Sequence, residues 1–82
     1  MKILKFYASW CGPCKSLSAV IESIKDELPY EIEEIDSDEN MDMARKYNIR
    51  SLPTMVIVDG DTEIKRQIGM MNAQQLKDFM AV

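Results

Sequence analysis

The chain has 82 residues, 46% hydrophobic and 29% charged, a length and balance that suit a single folded domain over 1–82 and exclude a disordered polymer. Fourteen acidic side chains against ten basic ones leave a net charge of −4, which excludes a basic groove for nucleic acid or an anionic membrane surface. No apolar run approaches the roughly 18 residues of a membrane span, and the opening Met1-Lys2-Ile3-Leu4-Lys5 is too short and too charged for a signal peptide, so the chain reads as cytoplasmic.

Residues 3–8 form a short apolar run that predicts a strand buried on both faces. From Cys14 the apolar residues fall at Leu17, Val20, Ile21, Ile24 and Leu28, one stripe at helical spacing, started by Pro13 and stopped by Pro29. Residues 30–36 predict a second strand. A short helix follows, capped by Asp38 or Asn40, with Met41, Ala44 and Tyr47 inward and Asn48 as a left-handed terminator. Residues 54–58 and 63–68 predict two strands joined by a turn at Asp59-Gly60-Asp61. Asn72 and Gln75 predict a capping box for a last helix burying Leu76, Phe79 and Met80. Met41, Met43, Met55 and Met80 read as core filler.

Chemistry concentrates at Cys11-Gly12-Pro13-Cys14, the only two cysteines, in a chain without histidine. A disulfide closing a two-residue gap removes almost no freedom from the unfolded chain, so the pair is not a structural staple. Zinc normally takes four Cys or His ligands, and two are present, so no metal site is expected. What remains is thiol–disulfide exchange in a reducing compartment. Cys14 lies on the buried stripe, whereas Cys11 stands at the helix entrance, where free backbone N–H groups and the helix dipole favour a thiolate. Cys11 is thus the expected exposed nucleophile and Cys14 the resolving thiol.

The run Trp10-Cys11-Gly12-Pro13-Cys14-Lys15 resembles the active-site motif of the thioredoxin family. Ser51-Leu52-Pro53-Thr54 resembles that family's cis-proline loop, Asp59-Gly60 its hairpin turn, and Ile68-Gly69 the glycine completing its substrate groove. The resemblance implies an α/β thioredoxin-like fold, with a four-stranded mixed sheet and three helices in the order βαβαββα. It lacks the N-terminal βα unit of longer members, which leaves residues 30–36 as an edge strand guarded by Glu31, Glu33, Glu34 and Asp36. It further implies a groove built from Trp10, Leu52, Pro53, Gly69 and Met70, with Met71 as a second candidate for its lip.

The chain departs from the family pattern at Lys5, where many members bury an aspartate beneath the disulfide. A buried ammonium must pair, lose its charge or reach solvent. Glu33 and Glu34 are its possible partners, and snorkelling to the surface is the alternative. A cation held near the thiols predicts a more oxidising couple than in ordinary thioredoxins.

The function implied is a dithiol–disulfide oxidoreductase acting on partner proteins, with no bound cofactor, as a monomer. By resemblance its partners are a flavin thioredoxin reductase drawing on NADPH and clients such as ribonucleotide reductase. The alternatives are a glutaredoxin-like enzyme recharged by glutathione, or a non-catalytic binding module of the same fold. Gly12-Pro13 between the cysteines argues against the first, and two reactive cysteines at a helix entrance argue against the second.

Overall fold

The computed structural model describes residues 1–82. The chain runs β1 (Lys2–Tyr7), α1 (Gly12–Ile24) with a 3-10 turn at Lys25–Glu27, β2 (Ile32–Asp36), α2 (Met41–Lys46), β3 (Thr54–Asp59), β4 (Thr62–Ile68) and α3 (Ala73–Met80). The four strands make one sheet in the order β2-β1-β3-β4. β1 pairs parallel to β2 and antiparallel to β3, and β3 and β4 form an antiparallel hairpin. This is the expected βαβαββα arrangement, with the acidic strand β2 at one edge of the sheet.

The central position of β1 explains why it is mostly apolar, because both faces of the sheet are covered there. On one face Ile3, Met55 and Ile57 pack with Leu17 and Ile24 of α1 and with Leu76, Phe79 and Met80 of α3. On the other, Leu4, Phe6, Val56 and Val58 pack with Ile35 and Tyr47. Each side chain so buried contributes about 1.5–3 kcal/mol of transfer free energy. The Asn72–Gln75 box forms in both directions, Gln75 N donating to Asn72 Oδ1 at 2.8 Å and Asn72 N to Gln75 Oε1 at 2.9 Å. Asn48 ends α2 at φ 54°, as its sequence position implies.

Local details differ from expectation. The α-helix stops at Ile24 and tightens into the 3-10 turn, because Leu28 precedes a proline and is forced extended (φ −85°, ψ 134°). β2 starts at Ile32 instead of residue 30, and the Tyr30 hydroxyl instead donates to the Val82 carbonyl at 2.8 Å. Neither Asp38 nor Asn40 caps α2 through its side chain: Asn40 holds the cap position, but its Nδ2 donates to the Asp36 carbonyl at 3.1 Å. Met41 is exposed, since it opens a six-residue helix at the surface, while Met43 packs on the second cluster. Met71 belongs to the core with Leu17 and Phe79 and forms no part of a groove lip.

Candidate active site

β1 ends at Tyr7, and Ala8 starts the turn that carries the cysteines: Cys11 N donates to the Ala8 carbonyl at 3.1 Å. Cys11 then takes the N-cap position of α1 (φ −85°, ψ 105°), with Pro13 in the first turn, where no N–H is needed. Its Sγ accepts the Cys14 backbone N–H at 3.1 Å, so a sulfur serves as the helix cap. Cys11 and Cys14 are joined as a disulfide with Cα atoms 5.3 Å apart. The N–H that meets the Cys11 sulfur also favours negative charge there once the bond is opened.

Cys11 is not the exposed sulfur expected from its place at the helix entrance. It is 3% accessible, against 2% for Cys14. Both pack with Ala8, and Tyr7 and Leu52 lean on the cluster.

A loop distant in sequence lies beside this cluster, and a second is tied to it. The Leu52–Pro53 bond is cis, and Pro53 is buried while Leu52 stays half-buried. The Thr54 hydroxyl donates to the Ser51 carbonyl at 2.7 Å and steadies the loop. Gly69, at φ 95°, donates its N–H to the Pro53 carbonyl at 2.8 Å. Met70 beside it is exposed. Trp10, 70% exposed, is tethered by its indole N–H to Asp38 Oδ2 at 2.9 Å. Leu52 thus packs on the cluster that holds the cysteines, and Gly69 is tied to Pro53. Trp10 and Met70 stand as exposed apolar residues, and Gly12 and Pro13 are exposed on the turn itself.

Lys5 does not snorkel to the surface. It is 1% exposed, and its ammonium pairs with Glu34 Oε2 at 3.0 Å, donates to the Ser18 hydroxyl and lies 5.3 Å from the Tyr7 ring centroid. The register of β1 on β2 sets Lys5 opposite Glu34, whereas Glu33 pairs with Lys2. A cavity of about 310 Å³ is lined by Lys5, Glu34, Ser18, Tyr7, Lys15 and Cys14, among others. Sequence reasoning missed Ser18 and took Asp38 only as a helix cap. Ser18 was open to detection, being one helical turn from Cys14. Asp38 gives no local signal.

The thioredoxin family model matches residues 1–82. The chain belongs to the thioredoxin family. It is 35% identical to a thioredoxin of Chlamydia trachomatis over 75 residues, 90% of this chain and 74% of that one. It is 38% identical to part of a bifunctional thioredoxin reductase/thioredoxin of Mycobacterium leprae, covering 98% of this chain and 18% of that one. Among solved structures, a mutant thioredoxin from Halobacterium salinarum superposes with a TM-score of 0.86 at 33% identity, covering 95% of this chain and 69% of that one. Membership, together with the joined Cys11–Cys14 pair, makes the chain a thiol–disulfide oxidoreductase of the thioredoxin family. Thioredoxins work without a bound cofactor, between a reductase and disulfide-bearing clients. No helix is long and apolar enough to cross a membrane.

Proposed function

We propose that the chain acts as a monomeric, cytoplasmic reductant of protein disulfides, working as one domain over 1–82 and recharged by a flavoprotein reductase that draws on NADPH. Ribonucleotide reductase is one client of the expected kind. The observation that carries this reading is the Cys11–Cys14 disulfide at the N-terminus of α1, beside the Leu52–Pro53 loop. The likeness to part of a protein named as both reductase and thioredoxin supports the reductase as its source of electrons.

In the reduced protein the Cys11 thiolate attacks one sulfur of a client disulfide. The client's S–S bond breaks, a mixed disulfide forms, and one client sulfur leaves as a thiolate. Cys14, having lost its proton, then attacks the Cys11 sulfur. The mixed disulfide breaks, the Cys11–Cys14 bond forms, and the second client sulfur leaves as a thiolate. Two electrons pass to the client, and two protons from water complete its thiols. The reductase returns the two electrons.

Gly12 and Pro13 fix the turn so that the two sulfurs stay one helical turn apart. Trp10, Leu52 and Met70 offer apolar contacts to a client segment. The backbone of Leu52, next to Pro53, pairs with that segment when it is extended, and Gly69 leaves the floor of the groove free of a side chain. The test is insulin reduction coupled to NADPH consumption through a purified thioredoxin reductase. Turnover that needs the reductase and vanishes in Cys11→Ser is the expected result. Turnover sustained by glutathione alone makes the chain glutaredoxin-like, and a Cys11→Ser, Cys14→Ser variant with full biological activity makes it a binding module.

A further inference from the structure

Lys5 is a charged side chain closed off from water, and the exchange steps above make no use of it. Its ammonium is pinned from two sides, by Glu34 on β2 and by Ser18 on α1. Ser18 stands four residues after Cys14, and helix residues at that spacing are neighbours, with Cβ atoms about 5–6 Å apart. The cation therefore lies between the carboxylate and the face of α1 that carries Cys14. Lys5, Ser18 and Cys14 line the same cavity. The other charged or titratable groups that face this cavity are Glu34 from β2, Tyr7 from β1 and Lys15 from α1.

We propose that Lys5 is a positioning residue for the resolving step: its ammonium, oriented by Glu34 and Ser18, stabilises negative charge on the Cys14 sulfur. This deepens the dithiol–disulfide reading and rests on it. Resolution needs Cys14 as a thiolate, and reduction of the internal disulfide releases Cys14 as one. In both directions charge appears on a sulfur shielded from water, where a nearby cation acts with less screening than in solvent. Lys5 moves no proton. Glu34 is half-exposed, so its opposing charge is partly screened by solvent, and the cation dominates at Cys14.

The test isolates Cys14 by Cys11→Ser and follows its isotope-labelled Cβ resonance against pH, a readout that needs no turnover. Lys5→Met fills the buried stem with an apolar chain of similar length and leaves Glu34 able to face water, so the fold is retained. We expect the thiolate midpoint of Cys14 to rise by about one pH unit in Lys5→Met, a tenfold loss of acidity. In Glu34→Gln, where the cation is unopposed, it falls by several tenths of a unit. Opposite shifts in the two variants separate an electrostatic role from a structural one, which moves both the same way. Unchanged midpoints, or shifts of the same sign, overturn the proposal even when the wild type turns over normally. Failure of the wild type to reduce insulin instead overturns the oxidoreductase reading beneath it.

Discussion

Gly12 and Gly69 give the same mutation opposite consequences. A Cβ built on either meets no atom within 4 Å, so neither glycine is required for space. They differ in backbone: Gly69 sits at φ 95°, whereas Gly12 lies outside the left-handed region at the first position of α1. Forcing an L-residue into left-handed geometry costs roughly 1–2 kcal/mol, and the loss of chain freedom in the unfolded state returns about 0.4–1 kcal/mol. Gly69→Ala should therefore destabilise by about 1 kcal/mol net, and Gly12→Ala should stabilise by about 0.5 kcal/mol. For a domain of this size 1 kcal/mol moves Tm by about 4–8 °C. Thermal unfolding of the oxidised variants, followed by circular dichroism, measures both shifts. A Gly69→Ala protein as stable as the wild type, or equal losses in the two variants, refutes the reasoning that conformation alone decides here.

Cys14→Ser leaves Cys11 able to attack but nothing to release the client, so the mixed disulfide should accumulate on non-reducing gels while turnover falls more than about a hundredfold; undiminished turnover refutes the division of roles between the two thiols. Asn72→Ala removes the side chain that caps α3 and should cost about 1 kcal/mol in urea unfolding, with the active-site chemistry unchanged. Arg66 donates two hydrogen bonds of 2.7 Å to Glu63, and these hold the Glu63 carboxyl below its ordinary range, with burial opposing. A depressed carboxyl stabilises the fold above its unfolded value of about 4.3 and loses that contribution as pH falls through the lower folded value. Glu63→Gln should thus cost about 0.5 kcal/mol at neutral pH, a gap that closes on acidification in pH-dependent urea melts. A gap that stays constant into strong acid refutes it.

Features readable from the sequence are those with a local cause. Asn72 and Gln75 are three residues apart and find each other inside one turn, and Asn48 needs only its own backbone. The cysteine pair is likewise self-contained. Features that the sequence leaves open or that run against it depend on strand register or distant cover. Cys11 is buried in a cluster with Ala8 and Cys14 on which Leu52, some 40 residues further on, packs, and no pattern around residue 11 records that cover. The choice between Glu33 and Glu34 as partner of Lys5 is a matter of one residue of register, which reverses the face a side chain points to. Met41 and Met71 show how weakly methionine signals its surroundings: spacing puts Met41 inside and the family resemblance puts Met71 at the rim, and each lies in the other kind of place.

The topology of the sheet has a consequence for the order in which the protein comes into being. β1 is synthesised before the strands it pairs with, its pairing runs out to Lys2 opposite Val58, and the Pro53 carbonyl waits for the N–H of Gly69. Most of these pairings are far apart in sequence, and such contacts form slowly compared with those of a helix. During translation both thiols therefore leave the ribosome well before the loops that flank them exist. A nascent chain released after residue 50 would carry the whole reactive motif and none of the backbone from Leu52 to Gly69 that frames it, so the cysteine pair exists before its surroundings do.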